Sequence, residues 1–184
     1  MATQSILTVE DFLKSPEYLD EKRRFELRNG EIVEMAEPTV WHDYMRDRVV
    51  FCINGFADPR ELGMALSERA FYVDSNNYCR GDVVFWDAEH WKAVADDPDT
   101  DVIRVIPQLV VEIVSPSERD AHGKAADYIR AGVHTVWLVF RRPFEVNVFE
   151  ASGGRRVVRA GERLEAPTLL PGFSEDPARF RLTE

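Results

Sequence analysis

The segment from Leu109 to Val114 is an almost unbroken run of aliphatic residues, and it constrains the fold more than any other part of the sequence. Such a run is typical of a central strand that is covered on both faces. The turn Ser115-Pro116-Ser117 then caps a predicted helix from about Glu118 to Ala131, which Gly132 ends. A further strand is predicted over Thr135 to Phe140. A strand, a helix and a strand in that order predict a crossover unit in a mixed sheet.

The residues before this unit alternate between helix and strand patterns. Thr8 is a potential N-cap and Asp11 its capping-box partner in a short predicted helix. Asn29-Gly30 is the dipeptide best suited to the positive φ angles of a tight β-hairpin turn. The predicted elements are a helix over Leu7 to Lys14, a hairpin over Phe25 to Met35, a helix from about Val40 to Phe56, and strands over Met64 to Val73 and Asp82 to Trp86, with a polar turn over Asp74 to Arg80 between the two strands.

The residues after the crossover unit predict more sheet. A strand is expected over Glu145 to Phe149, followed by a hairpin turn at Gly153-Gly154. With 184 residues, 45% of them hydrophobic, the chain has the size and the apolar content of one domain spanning residues 1–184. The expected fold is therefore one α/β domain in which helices flank a central mixed sheet.

Several classes of protein are disfavoured by composition. The longest apolar run is far shorter than the roughly 20 residues of a membrane span, and Met1 to Ile6 lack the pattern of a secretory signal, so a cytoplasmic location is expected. Cys52 and Cys79 lack metal-site spacing, and reduced thiols are expected. The 23 basic and 33 acidic residues give a formal charge of -10. This charge argues against a protein that coats nucleic acid without sequence specificity.

Glu112 is the anomaly within the central strand, because an unpaired carboxylate among buried aliphatic residues costs several kcal/mol. Two explanations are open. Glu112 either forms a structural ion pair or faces water at an edge strand, or it is a metal ligand. Asp82 favours a metal if the two acids lie together at the rim of the sheet, because paired carboxylates need a cation. Asp82 could instead only cap its strand after a glycine turn.

Lys124 lies twelve residues after Glu112 on the following predicted helix, and Tyr128 is four residues further on the same helix face. A lysine on a helix is usually a solvated surface charge. If Lys124 points back to Glu112, its ammonium could instead stabilise a pentacovalent phosphate or orient a water molecule.

The chain as a whole resembles the bacterial Uma family of restriction endonucleases, a branch of the PD-(D/E)XK nuclease superfamily. The resemblance extends from about Leu7 to Phe180, with its motifs in order. These motifs are Phe25-Glu26-Leu27, Asn29-Gly30-Glu31-Ile32-Val33, His42 at the start of a helix, Gly81-Asp82-Val83, Leu109-Val110-Val111-Glu112-Ile113-Val114-Ser115-Pro116-Ser117, Lys124 with Tyr128, Ala131-Gly132-Val133 and Leu169-Leu170-Pro171-Gly172-Phe173.

The resemblance implies a restriction-endonuclease-like fold and gives the acids their roles. Asp82 and Glu112 would be the two acidic residues of the catalytic motif, with the lysine moved onto the following helix at Lys124. The sequence departs from the family pattern at two positions. Gly81 replaces the usual proline, which makes the backbone there less rigid. Gln108 replaces a common acid, and neither change removes an expected ligand.

Glu26 and His42 also match family positions. Glu26 could add an oxygen ligand or hold a water molecule, or it could be a surface carboxylate of the hairpin. His42 could relay a proton or contact a phosphate near neutral pH, or it could be a helix-start residue satisfied by the backbone. His90, His122 and His134 show no pattern that suggests a role.

The expected function is hydrolysis of phosphodiester bonds in DNA with Mg²⁺ or Mn²⁺, because carboxylate and backbone oxygens are ligands for hard cations. The enzyme could act alone or as a homodimer. The alternative is an inactive nuclease-fold module that binds nucleic acid or protein. Two groups of arginines could contact phosphates, or both could be solvated hairpin faces. They are Arg141 with Arg142, and Arg155, Arg156 and Arg159.

Overall fold

The structure is a computed structural model that describes residues 6–116 and 118–182. Ten strands and four α-helices account for most of the described residues. The strands are β1 Phe25–Arg28, β2 Glu31–Glu34, β3 Gly63–Asp74, β4 Asn77–Asp87, β5 Leu109–Val114, β6 Thr135–Phe140, β7 Glu145–Glu150, β8 Arg155–Arg159, β9 Leu164–Glu165 and β10 Ser174–Glu175. The helices are α1 Val9–Phe12, α2 Val40–Ala57, α3 Ala88–Ala95 and α4 Ala121–Arg130, with two 3₁₀ turns, Asp58–Arg60 and Pro177–Phe180.

Eight strands form the main sheet in the order β2-β1-β4-β5-β6-β7-β8, and β3 pairs with the other edge of β4. Strands β5 and β6 are parallel, whereas the other pairs in the sheet are antiparallel. Helix α4 joins the two parallel strands. The prediction of a mixed sheet with a strand-helix-strand crossover and flanking helices is therefore confirmed.

Alternation along β5 divides the core into two layers. Val111 and Ile113 pack on one face with residues of α2, such as Ile53. Val110 packs on the opposite face with Tyr128 of α4. Because side chains alternate along a strand, Glu112 shares the face of Val110 and points toward α4. Glu112 can therefore lie between two buried aliphatic residues of β5 because α4, which covers this face of the strand, carries residues that contact its carboxylate.

A gap in the strand pairing lies along one edge of β4. At one end of that edge, β1 pairs with β4 only through Leu27 and Tyr78. At the other end, β5 pairs with Val83 to Phe85. Among the described residues, β4 therefore has no strand partner on this edge from residue 79 to residue 82, and its main-chain polar groups there need other partners.

Two local predictions were wrong, and one helix was not predicted. Residues 74–80 do not form one polar turn, because β3 and β4 are joined only by residues 75–76 and Tyr78 is already buried in the sheet. Helix α4 begins at Ala121, where Asp120 accepts a hydrogen bond from the Gly123 N–H at 3.1 Å. The predicted start at Glu118 was too early, and Ser117 of the predicted turn and cap lies outside the described residues. Helix α3 was not predicted; Asp87 caps it.

The predicted capping box and the first predicted hairpin turn are confirmed by the structure. Thr8 and Asp11 form the capping box of α1, and Asn29 and Gly30 have φ angles of 51° and 75° in the β1–β2 turn. Cys52 and Cys79 are buried free thiols. In the part of the chain that the structure describes, no helix is long and apolar enough to cross a membrane.

Asn54 fastens α2 to the free edge of β3. Its side-chain amide donates to the Ala65 carbonyl at 2.9 Å and accepts from the Ala65 N–H at 2.8 Å, as a neighbouring strand would. Ala65 is buried, so loss of both bonds leaves two main-chain groups without partners.

We therefore expect Asn54→Ala to lower the free energy of unfolding by about 2 to 3 kcal/mol. The matched control is Gly55→Ala, since a Cβ at this helical position meets nothing within 4 Å. Gly55→Ala should raise the free energy of unfolding by roughly 0.5 to 1 kcal/mol. Urea denaturation measures both changes, and an Asn54→Ala protein as stable as the native one would contradict the anchoring role.

Candidate active site

A cleft of about 430 Å³ opens where β1, β4 and β5 meet the beginning of α2. It is lined by many charged side chains. Five of them are the residues predicted from sequence, namely Glu26, His42, Asp82, Glu112 and Lys124. Others in the lining are Arg24, Arg28, Glu34, Glu68, Arg80 and Arg141.

Lys124 lies at the centre of this group, with its side chain only 9% exposed. Its Nζ is 3.2 Å from Oε1 of Glu112 and 3.4 Å from Oε1 of Glu26. It also donates to the main-chain carbonyl of Arg80 at 3.5 Å. Lys124 is therefore not a solvated surface charge, and one buried ammonium joins three different segments of the chain.

Electrostatics keep this ammonium charged. Burial would lower the pKa of Lys124, but the carboxylates of Glu112 and Glu26 outweigh burial and raise it. Burial raises the pKa of Glu112 to about 7, with the charges of Asp82 and Glu26 adding to the effect of burial and Lys124 opposing it. The Glu112 carboxylate is therefore protonated at a higher pH than an ordinary glutamate.

Tyr128 supports Glu112 from α4. Its hydroxyl donates to Oε1 of Glu112 at 2.8 Å. Burial first, and then the charge of Glu112, raises the pKa of Tyr128 well above its ordinary value, so the hydroxyl stays a neutral donor. Lys124 and Tyr128 are four residues apart on one helix face and hold the same carboxylate oxygen, as their spacing predicts.

Asp82 lies opposite Glu112 across the β4–β5 pair. Val83 pairs with Val111, and the antiparallel register brings the residue before Val83 next to the residue after Val111. The Asp82 carboxylate accepts a hydrogen bond from the Ile113 N–H at 2.6 Å. Asp82 does cap a main-chain group, but Gly81 lies inside β4 and not in a turn.

His42 lies in the first turn of α2, and its Nε2 is 3.2 Å from Oδ2 of Asp82. Burial would lower the pKa of His42, but the hydrogen bond and the charge of Asp82 outweigh burial and raise it above 6.5. Nδ1 of His42 is buried without a hydrogen-bond partner among the described residues. The ring is therefore held by the acid and not by the backbone.

Glu26 fills part of the gap in strand pairing. It is 4% exposed, and its Oε1 accepts from the Arg80 N–H at 2.6 Å. The Arg80 carbonyl meanwhile accepts from Lys124. Glu26 is thus a buried carboxylate and not a surface residue of the hairpin, and the Glu26–Lys124 pair takes the place of a missing strand beside Arg80.

The donor set at Asp82 and Glu112 is suited to a hard cation. Oδ1 of Asp82 and Oε2 of Glu112 accept no hydrogen bond from the described residues, although the other oxygen of each acid does. Across residues 6–116 and 118–182, no group of three or more His, Cys, Asp or Glu side chains could hold a metal ion. A pair of carboxylates suits Mg²⁺, because this ion usually keeps several of its water ligands. It suits less well an ion that takes all its ligands from the protein.

Two features of the cleft, Glu68 and Arg80, were not predicted. Glu68 forms ion pairs with Arg24 and Arg46. It has a φ of 50°, a conformation that a non-glycine residue in a strand rarely adopts. Arg80 was missed because its main-chain N–H and carbonyl, and not its side chain, contact Glu26 and Lys124. Gln108 accepts from the Asp87 N–H at 3.2 Å and is not part of the cleft lining.

Comparisons with known proteins identify the family. Residues 9–182 match the Uma2 family, whose description is "Putative restriction endonuclease". The chain belongs to the Uma2 family. The expected family resemblance is thereby confirmed over nearly the whole sequence. No match was found among curated proteins.

One solved structure supports the fold. It is the crystal structure of a protein described as "a putative nuclease belonging to DUF820" from Anabaena variabilis ATCC 29413. The TM-score is 0.80 with 17% sequence identity, over 95% of this chain and 97% of that chain. At this identity the likeness shows only that this chain and the Anabaena protein share a fold. The predicted fold class is thereby confirmed. The roles of the site residues remain predictions.

The first prediction from the site concerns the buried ammonium. Lys124→Met removes the cation between Glu112 and Glu26 and leaves two buried carboxylates without their charge partner, so we expect a loss of about 3 to 5 kcal/mol in the free energy of unfolding. The exposed residue Lys92 provides the control. Lys92→Met should change stability by no more than about 0.5 kcal/mol.

Adding Glu112→Gln to Lys124→Met tests whether the loss arises from charge. The double variant should be less destabilised than the sum of the two single variants, with a coupling of about 1 to 3 kcal/mol. Denaturant unfolding of the four proteins measures this. Strictly additive effects would show that Lys124 and Glu112 do not depend on each other in the folded protein.

The second prediction concerns metal binding. A cation that binds only the folded protein stabilises it by about 2.7 kcal/mol at a hundred times its Kd, so Mn²⁺ should raise the melting temperature of the native protein. Asp82→Asn and Glu112→Gln should abolish this increase. Glu34→Gln changes an exposed acid of the same cleft and should preserve it. Equal increases in all four proteins would remove Asp82 and Glu112 from the metal site.

Proposed function

We propose that this protein is a metal-dependent endonuclease that hydrolyses phosphodiester bonds in DNA. The observation that carries the proposal is the convergence of Asp82, Glu112 and Lys124 on one cleft, although the three residues lie on two strands and a helix. Convergent acids and a cation of this kind suit attack on a phosphate. The family description supports the same activity.

Asp82 and Glu112 would hold Mg²⁺ or Mn²⁺ through their oxygens. The bound cation would supply a more acidic water and withdraw charge from the scissile phosphate. Lys124 would offset negative charge on the phosphate, because its ammonium stays protonated among carboxylates. Its three donor hydrogens are directed at Glu112, Glu26 and the Arg80 carbonyl, so Lys124 would act on the phosphate through its charge and not through a hydrogen bond.

Three further residues would position this machinery. Glu26 holds the ammonium of Lys124, and Tyr128 fixes the oxygen of Glu112 that also contacts Lys124. His42 contacts Asp82 through Nε2, so it would set the orientation and the charge of that acid. Each of these side chains contacts a proposed ligand or the lysine directly, which favours a pre-organised site.

A second function is favoured by a different observation. The formal charge of -10 repels a polyanion, and the described residues hold no complete metal cage. An inactive nuclease-fold module that binds nucleic acid or protein would have the same fold. The buried charges of the cluster argue for catalysis over this alternative, because an idle site gains nothing from a costly set of buried acids.

Cleavage of supercoiled plasmid distinguishes the two functions. We expect the native protein to nick or linearise plasmid with Mg²⁺ or Mn²⁺ and to be inactive with EDTA. Asp82→Asn and Glu112→Gln should reduce the rate at least about a hundredfold, the scale on which loss of one transition-state contact acts. Glu34→Gln should cut at the native rate.

Activity that survives in both acid variants would reveal a contaminating nuclease or a different site. A folded native protein that leaves several DNA forms uncut with either metal would support the interaction module. Homodimer formation, a cytoplasmic location and a single domain over residues 1–184 remain predictions. Trp86 is fully buried in the core and is therefore unavailable for a dimer face.

A further inference from the structure

A second cavity of about 360 Å³ adjoins the candidate active site and differs from it in charge. It is lined by Trp41, Arg141, Arg142, Pro143, Phe144, Arg181 and Leu182. We call this surface the arginine patch. Its lining contains three arginines and no acid, whereas the lining of the main cleft contains both cations and acids. In a chain of net charge -10, such a local excess of positive charge is a distinct feature.

Aromatic rings hold two of the guanidinium groups in place. The Arg141 guanidinium carbon lies 4.9 Å from the centroid of the Trp41 ring, and that of Arg181 lies 5.1 Å from the centroid of Phe144. Such stacking covers one face of a guanidinium and leaves its edge N–H donors available. These donors match phosphate oxygens in pairs.

The guanidinium N–H donors of the patch have no partner among the described residues. Within the described residues, Arg141, Arg142 and Arg181 form no side-chain hydrogen bond and no ion pair, and all three are exposed. The competing basic group on β8 is different. Arg155 contacts Asn147, Arg156 donates to the Glu165 carbonyl at 2.6 Å, and Arg159 pairs with Glu145 at 3.4 Å.

The patch is continuous with the main cleft, because Trp41 and Arg141 line both cavities. Trp41 also directly precedes His42, which contacts Asp82. A strand of nucleic acid with its scissile phosphate near Asp82 and Glu112 would therefore bring neighbouring phosphates to the patch. This step rests on the proposed nuclease function.

We propose that the arginine patch binds backbone phosphates of the DNA substrate beside the cleavage site. The net charge of -10 would repel DNA, and the patch would supply a local attraction beside the cleavage site. Contacts of this kind read no sequence, since phosphates are the same at every step. The patch would therefore position any DNA strand at the site.

Binding of DNA in EDTA isolates this contact from cleavage. Fluorescence anisotropy with a labelled random-sequence duplex measures Kd over a range of salt for the native protein and for the triple variant Arg141→Gln, Arg142→Gln, Arg181→Gln. Three lost phosphate contacts should reduce the slope of log K against log salt by about 2.7, or about 0.9 for each contact. Between about 50 and 200 mM salt, the native protein should then lose roughly fortyfold more affinity than the variant.

The control variant removes the same charge elsewhere. Arg60, Arg104 and Arg155 also stack on aromatic rings, and none of them lines the cleft or the patch. Changing these three to glutamine should leave the slope as in the native protein. Circular dichroism confirms that each variant is folded.

Each outcome decides a separate question. Equal slopes for the native protein and the patch variant overturn the patch, as does an equal loss in the control variant, which would indicate net charge alone. A native protein that binds through the patch but never cleaves plasmid with metal keeps the patch and overturns the nuclease. A native protein that does not bind the duplex overturns the patch, whatever its activity on plasmid.

Discussion

The ammonium of Lys124 is the charge on which the rest of the site depends. Its side chain is buried, and an isolated charge would be costly there. It is stabilised because Glu112, Glu26 and the Arg80 carbonyl surround it. The cluster also joins β1, β4, β5 and α4 at one point. The geometry of the cleft and the packing of these elements are therefore parts of the same arrangement.

The sequence predicted the residue types of the site better than their environment. Glu112 within an aliphatic strand and Lys124 with Tyr128 at helical spacing indicated their contacts, because strand alternation and helix geometry are local rules. The sequence did not decide whether Glu26 is buried. Its burial depends on packing against β4, and its partner Arg80 is 54 positions away in the chain. Glu68 gave no signal, because a positive φ is rare for a residue other than glycine and no local pattern predicts it at this position.

The same division applies to the fold. The central strand, the crossover and the first hairpin follow from local pattern and are present as predicted. The polar residues of β4 before Asp82 resembled a turn because an edge without a strand partner tolerates polar side chains. The start of α4 was misplaced because a proline near its beginning resembled a first turn, whereas Asp120 supplies the cap.

The gap along β4 places main-chain atoms among the groups that hold the site. The N–H and the carbonyl of Arg80 are supplied by whatever residue occupies that position, so alanine scanning would not remove them. The architecture can thus tolerate sequence divergence at this point and still keep Glu26 and Lys124 in register. Some of the groups that hold the site are therefore main-chain atoms, whose positions depend on the backbone conformation. A comparison of side chains between relatives would not detect them.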